Sequence, residues 1–227
     1  MKAVTSGASP HRGTASGFEV PARPVQVLVE GPDEVAFLSA AFARSGDWTK
    51  RLQVQQCGGN GGFLAALERL TSMPGFRGQV TNVVVLADAD ESPGKAFADT
   101  ADALDKAGLP RPVGPGVAAS GRFDGFDLAT RVILVPGDAA TGCLETLFLA
   151  SIADDVAFGC ALQMLDCWKT NGVPLPVRVE KLLVQAWLAQ HTRTGYTLLK
   201  ASFDRKPMPW NLEHAAFAGL LAQLRAL

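Results

Sequence analysis

The stretch VLVEGPDE, residues 27–34, indicates the fold class, because it contains the end of an apolar run and the acidic residues that follow directly. The run is typical of a buried strand, and Glu30 closes it. A second stretch, NVVVLADADES at residues 82–92, repeats the arrangement and closes with Asp88 and Asp90. Continuous apolar runs of this length are typical of parallel strands that are buried on both faces. The sequence therefore predicts two buried strands that each end in carboxylates.

Strands and helices alternate between residues 25 and 152. The predicted strands cover residues 25–30, 51–57, 82–88 and 131–136, and the predicted helices between them cover residues 33–45, 63–70 and 93–107. This alternation predicts an α/β domain with a mostly parallel sheet flanked by helices. Ligands bind beyond the carboxyl ends of the strands in such sheets, so Glu30 and Asp88 lie where a site is expected.

The two ends of the chain differ from this central pattern. Residues 1–24 are rich in small and polar residues and predict a flexible lead-in. Residues 153–227 read as amphipathic helices and predict a helical C-terminal extension. Its last stretch, WNLEHAAFAGLLAQLRAL at residues 210–227, carries an apolar stripe. Such a stripe packs on its own domain, or it contacts a second copy of the chain or a partner protein.

Composition limits the function classes. The chain has 227 residues, 48% of them hydrophobic, and a formal net charge of −1, which excludes a strongly basic DNA-binding domain. No apolar run reaches the ~18–20 residues of a membrane span, so we expect no membrane partner. The cysteines form no CxxC pair, which favours reduced core thiols and a cytoplasmic protein. They are Cys57, Cys143, Cys160 and Cys167.

Carboxylates gathered at strand ends repel one another, so they need a compensating positive charge. Asp88 and Asp90 occupy alternate positions and can face one direction, while Glu30 ends the other strand. Magnesium prefers oxygen ligands and commonly takes one or two carboxylates together with water and substrate phosphates. The residues therefore predict a site for one or two Mg²⁺ or Mn²⁺ ions, of the kind that serves phosphodiester cleavage.

The order of these pieces resembles the Toprim domain, and in particular the Toprim nuclease domain of OLD-family (overcoming lysogenization defect) endonucleases and small stand-alone Toprim proteins. The matching stretches are VLVEGPDEVAFL, QCGGNGGFLAAL, VVVLADADES and the pair Leu144-Glu145 that opens a helix. They span residues 25–152. The resemblance implies a Rossmann-like Toprim fold and a metal-dependent nuclease that acts on nucleic acid, with DNA ahead of RNA.

The resemblance also implies roles for individual residues. Glu30 looks like the glutamate of the first strand, a metal ligand or general acid/base, and Asp88 and Asp90 look like the paired metal-binding aspartates. Glu34 and Glu145 look like the further acids that OLD-type nucleases use for a second metal ion. The chain departs from the pattern in two ways: Cys143 stands where OLD-type sites often have a hydroxyl residue, and no G-x-x-x-x-G-K-[ST] phosphate loop occurs.

Two other functions remain open from the sequence. One is a Toprim scaffold that binds metal, nucleic acid or a partner protein in a regulatory role without cleavage. The other is nucleotidyl transfer of the primase kind.

Simpler structural roles also remain open for the same residues. Asp88 and Asp90 could cap the helix that follows them, and Glu145, like Asp33 next to Glu34, could be an acid of a first helical turn. Glu30 could be a structural carboxylate. The glycine cluster GGNGG, residues 58–62, either cradles a phosphate or forms a tight turn.

Overall fold

The protein is described by a computed structural model that covers residues 18–43, 48–191 and 198–227. Five strands form one sheet: β1 Val25–Val29, β2 Leu52–Gln56, β3 Asn82–Asp88, β4 Ala119–Phe123 and β5 Phe126–Val135. Their order in the sheet is β2-β1-β3-β5-β4. Strand β1 pairs in parallel with β2 and β3, whereas β4 and β5 are antiparallel. The predicted α/β fold with a mostly parallel, Rossmann-like sheet is confirmed.

Ten α-helices occur in the described residues, and those that begin at residues 32, 63 and 93 start within one residue of the prediction. They are α1 Pro32–Phe42, α2 Trp48–Arg51, α3 Phe63–Ser72, α4 Phe76–Gln79, α5 Pro93–Lys106, α6 Leu144–Ser151, α7 Val156–Thr170, α8 Val179–Gln190, α9 Leu199–Ser202 and α10 Ala218–Arg225. Among the described residues, no helix is both long enough and apolar enough to cross a membrane.

The centre of the sheet is apolar because β1 and β3 are buried on both faces. All five residues of β1 are buried, and so are six of the seven residues of β3. Gln26 is the polar exception in β1, with no exposed surface. Its amide donates to the Arg23 carbonyl at 2.7 Å and accepts from the Gln55 amide at 3.3 Å. These bonds offset the desolvation of the buried amide.

The lead-in is tied to β2 over the part that the structure describes. Of the predicted lead-in, residues 1–17 lie outside the described residues. The Gln55 side chain donates to the Glu19 carbonyl at 2.8 Å and accepts from the Glu19 N–H at 3.1 Å. The Gln53 side chain accepts from the Ala22 N–H at 2.8 Å. Two glutamines of one strand thereby bind the backbone of residues 19–22 much as a neighbouring strand would.

The hairpin of β4 and β5 differs from the prediction, which placed one short strand at residues 131–136. Strand β5 begins at Phe126, and β4 precedes it. The turn between them has Asp124 at φ +47° and Gly125 at φ +92°. Asp-Gly is a strong hairpin signal because both residues tolerate positive φ. The sequence therefore contained a usable sign of the hairpin that the prediction missed.

By their contacts, the described residues form two compact units. The first comprises the described part of Met1–Ala87 together with Ala98–Val132, and the second comprises Asp88–Phe97 and Ile133–Leu227. In the second unit α6 packs against α8 and against a 3₁₀ turn at Ala215–Phe217. Phe148 of α6 lies 4.5 Å from the Trp210 ring and 5.1 Å from the Phe217 ring, centroid to centroid. These contacts group α6 with the C-terminal helices.

The apolar stripe of the C-terminal stretch is used within the chain. Regular helix begins only at Ala218, so α10 is shorter than the predicted helix over residues 210–227. Leu220, Leu221 and Leu224 are all buried in the second unit. Their burial accounts for the stripe by internal packing.

Candidate functional site

Asp88 is the last residue of β3, and its carboxylate is buried, with 6% of the side chain exposed. Its Oδ1 accepts a hydrogen bond from the backbone N–H of Leu144 at 3.1 Å. Leu144 is the first residue of α6, so this carboxylate lies at the positive end of the helix dipole. The Oδ2 atom lies 3.5 Å from Nη1 of Arg178. The Leu144 N–H and the Arg178 guanidinium therefore both orient the Asp88 carboxylate.

Asp90 is positioned by its backbone. It adopts a left-handed conformation with φ +48°, which Asp tolerates better than most residues. Its N–H and carbonyl exchange two 2.7 Å hydrogen bonds with Gly142. Its Oδ1 lies 2.9 Å from Nη2 of Arg178. The carboxylates of Asp88 and Asp90 thus converge on a single guanidinium.

Glu145 is the second residue of α6 and is 3% exposed. Its Oε1 lies 3.4 Å from Nζ of Lys181. We call Asp88, Asp90 and Glu145, together with Arg178 and Lys181, the ion-pair cluster. All five residues belong to the second compact unit.

Sequence reasoning missed the two cations of this cluster. Arg178 is the N-cap residue of α8, and Lys181 lies in its first turn. Positive charge is unfavourable at a helix N-terminus, so basic residues there are a usable signal of nearby carboxylates.

The helix-capping alternative for Asp88 concerned the helix that follows it, but the helix N–H that its carboxylate accepts from belongs to α6. The sequence suggested the helix that follows, α5, where the Ser92 hydroxyl accepts from the Lys95 N–H at 3.3 Å. Asp88 instead accepts from the first N–H of α6, 56 residues further along the chain. The same carboxylate therefore caps one helix and pairs with Arg178.

In the first unit, Glu34 has a structural role at the start of α1. Its side chain is largely buried, and its Oε2 accepts from the Gly31 N–H at 2.9 Å. Gly31 is the N-cap and Pro32 is the first residue of the helix, so Glu34 completes a capping arrangement. The sequence had predicted a first-turn role for Asp33 and not this contact of Glu34, whose role as a metal ligand stays a prediction.

The glycine cluster is hydrogen-bonded to the residue that follows β1, Glu30. The N–H groups of Gly58 and Gly59 both donate to the Glu30 carbonyl, at 3.1 and 2.9 Å. The Cys57 N–H donates to the Val29 carbonyl at 2.8 Å. These contacts favour the tight-turn interpretation over a phosphate cradle, because two of the N–H groups are already satisfied within the chain. They also fix the backbone that carries Glu30.

Replacing Gly62 by alanine should break this turn. A Cβ at Gly62 would lie 2.3 Å from the Cys57 carbonyl oxygen, a backbone atom that cannot move independently. We expect Gly62→Ala to lower the free energy of unfolding by about 1–3 kcal/mol in urea titrations. Gly61→Ala is the matched control, because its Cβ would meet no atom within 4 Å. Equal stability of the two variants would contradict the tight-turn interpretation.

The thiols of Cys57 and Cys143 are poor nucleophiles. Burial, reinforced by the Glu30 charge, raises the pKa of Cys57 from 9.0 to about 12. Burial, reinforced by Glu145, raises the pKa of Cys143 to about 12 as well. The thiolate is the reactive form, so both residues stay protonated and unreactive near neutral pH. This supports the interpretation of Cys57 and Cys143 as core thiols, whereas Cys160 and Cys167 are exposed, so the same prediction is wrong for those two.

Alkylation should separate the four cysteines into two classes. With iodoacetamide at pH 8, we expect the exposed Cys160 and Cys167 to react first and Cys57 and Cys143 to stay unmodified in the folded protein, as read by peptide mass spectrometry. Rapid modification of Cys143 would contradict its protonated, buried state.

The raised pKa values of Cys57 and Cys143 also predict that the free energy of unfolding falls as the pH rises from 9 to about 12. The reason is that the unfolded chain loses these two thiol protons at lower pH than the folded chain does.

Comparison with known proteins places the chain in a family. Residues 24–227 match the family model DUF3226, described as a protein of unknown function. The chain belongs to the DUF3226 family. No curated protein and no solved structure matches it. The region that matches the DUF3226 model includes the acid-tipped strands as well as α8, with Arg178 and Lys181.

The ion-pair cluster of this DUF3226 protein has the donor atoms that a hard divalent cation requires. Among the described residues, no group of three or more His, Cys, Asp or Glu side chains is arranged to hold a metal ion. In this conformation the three carboxylates face Arg178 and Lys181 instead. The carboxylates of Asp88 and Asp90 both contact one positive charge and offer only oxygen atoms as donors. Oxygen is the donor type that Mg²⁺ and Mn²⁺ prefer.

Proposed function

We propose that this DUF3226 protein is a Mg²⁺- or Mn²⁺-dependent phosphodiesterase of the Toprim/OLD type that cleaves nucleic acid, with DNA ahead of RNA. The observation that carries the proposal is the convergence of Asp88 and Asp90 on one cationic group, at 3.5 and 2.9 Å. A paired Asp-x-Asp at the end of an apolar strand is also what the Toprim resemblance rests on.

In this proposal, Asp88 and Asp90 hold the metal ion. Burial and the Leu144 N–H fix the first carboxylate, and the Gly142 bridge fixes the backbone of the second. Such prior positioning lowers the cost of forming a site. A bound Mg²⁺ or Mn²⁺ would supply a water of lowered pKa and stabilise charge on the phosphate.

The other predicted acids have separate grounds. Glu145 lies at the start of α6, in the same unit as Asp88, and is the candidate ligand of a second ion. For Glu30, as ligand or general acid/base, and for Glu34, the role rests on the Toprim resemblance alone. With a net charge of only −1, the chain has no excess of positive charge to attract DNA, so the metal ions would contribute much of the phosphate binding.

A cleavage assay tests the proposal directly. Purified protein is incubated with supercoiled plasmid, single-stranded DNA and RNA in Mg²⁺, Mn²⁺ or EDTA. We expect nicking or degradation in metal and none in EDTA, and the substrate panel identifies the preferred nucleic acid. Folded protein that binds metal but releases no product on any substrate would contradict the proposal.

A regulatory scaffold that binds without cleavage is the second candidate function. It is favoured by the pairing of all three carboxylates with Arg178 and Lys181, and by Cys143 in the position of the expected hydroxyl residue. This function predicts retention of labelled DNA or RNA in a gel-shift experiment, with the nucleic acid recovered intact. Product formation in the cleavage assay would exclude it as the sole function.

A further inference from the structure

Helix α8 begins with two cations that face buried carboxylates. Arg178 is its N-cap and Lys181 is its third residue, so the two are three positions apart and share one side of the helix. Their side chains are 40% and 45% exposed, whereas those of Asp88 and Glu145 are 6% and 5% exposed. The cations can swing into solvent, and the carboxylates have little room to turn.

The position of these cations at the start of the helix carries a cost. Positive charge at a helix N-terminus opposes the helix dipole. Glu180 supplies one negative charge within the turn itself, and the carboxylates of Asp88, Asp90 and Glu145 face the two cations from outside the helix, so the first turn of α8 depends on them in part. A divalent ion on the same oxygens would remove this compensation and repel both cations.

The loop before α8 offers little resistance to such a displacement. Residues 171–174 are exposed, and Val177, next to Arg178, is 99% exposed. An exposed apolar side chain contributes little packing energy to hold the loop in place. The Arg178 ion pairs are therefore important restraints on the junction between loop and helix.

We infer that the first turn of α8 is an electrostatic latch on the metal-binding carboxylates. In the metal-free protein, Arg178 and Lys181 pair with the three carboxylates, and binding of a divalent ion releases the first turn of α8, residues 178–181, from them. This inference rests on the metal site of the proposed function but not on cleavage. It makes the site a switch between a latched state and a metal-loaded state in which the first turn of α8 is released, while the rest of the helix stays packed through its buried residues.

Metal affinity is the first test. Binding of Mn²⁺ is measured for wild type, Arg178→Gln and Lys181→Gln by electron paramagnetic resonance, as the decrease of the free-ion signal. Because each variant removes a half-exposed competing cation, we expect binding about two- to fivefold tighter. Lys169→Gln, which removes an exposed charge from α7, is the matched control and should bind as wild type does. Arg178→Lys keeps the charge and should stay close to wild type.

Hydrogen exchange is the second test. Mass spectrometry of peptides from residues 171–185 compares the wild-type protein with and without Mn²⁺. We expect metal to speed exchange of the amides of residues 182–185, because their helical acceptors are the carbonyls of residues 178–181 in the first turn of α8, and we expect Arg178→Gln to exchange faster there even without metal. Peptides from β3 serve as the internal reference for global stability.

The outcomes separate the latch from the metal site. If wild type binds Mn²⁺ but exchange over residues 171–185 stays the same or slows, the latch is wrong and the metal site stands. If Arg178→Gln binds Mn²⁺ no more tightly than wild type, Arg178 does not compete with the metal ion for the carboxylates and the latch is wrong. If neither protein binds Mn²⁺, the metal site and the latch fail together.

Discussion

Asp88→Asn should abolish metal-dependent cleavage, lowering the rate by at least about a hundredfold. Asparagine keeps the shape of the side chain and an oxygen that can accept from the Leu144 N–H, but it removes the negative charge that binds the ion. The change therefore separates metal binding from helix capping. Alanine would remove both roles together and could destabilise α6.

The measurement is the plasmid cleavage rate in Mg²⁺ and Mn²⁺, with Mn²⁺ affinity determined in parallel. Asp127→Asn is the matched control, because it makes the same chemical change on a side chain that is 96% exposed. Asp90→Asn should lose activity as Asp88→Asn does, since asparagine also tolerates the left-handed backbone at that position. If Asp88→Asn cleaves at the wild-type rate, Asp88 is not a metal ligand for the reaction.

Gly142→Ala should be among the most destabilising changes in the second unit, lowering the free energy of unfolding by about 2–4 kcal/mol. Gly142 has φ +123°, a backbone conformation that L residues rarely adopt. A Cβ there would also lie 2.4 Å from the Thr146 hydroxyl oxygen. Because Gly142 exchanges two hydrogen bonds with Asp90, the same change should weaken Mn²⁺ binding.

Urea unfolding of Gly142→Ala and Gly137→Ala provides the comparison. Gly137 belongs to the same unit, and a Cβ there would meet no atom within 4 Å. The double variant Gly142→Ala/Thr146→Ala, compared with Thr146→Ala alone, removes the clash but keeps the backbone strain. A partial rescue would assign part of the loss to each cause. Wild-type stability of Gly142→Ala would refute the strained geometry.

Local signals explain why much of the sheet could be predicted. The bounds of β3 match the prediction at both ends, Asn82 and Asp88, because a continuous apolar run is interrupted there by polar residues. Helix α5 begins at Pro93 as predicted, since proline is tolerated in the first turn and fixes φ. The missed strand β4 has a weaker pattern: its residues are half-buried or exposed, and no apolar run marks it.

The candidate site was predictable only in part. The sequence identified Asp88, Asp90 and Glu145 as acids at the ends of a strand and at the start of a helix, which are local features. It did not reveal that Asp88 binds the N–H of Leu144, since this contact depends on how α6 packs.

The alternation of strands and helices and the acidic ends of two strands follow from local signals, because apolar periodicity and turn residues act over a few positions. The partners of those acids depend on tertiary packing. Arg178 contacts Asp88, which is 90 positions away in the sequence, and Lys181 contacts Glu145, which is 36 positions away. Such pairs form where the packing of α6 against α8 brings charges together, and side-chain packing over that distance leaves no periodic trace in a single sequence.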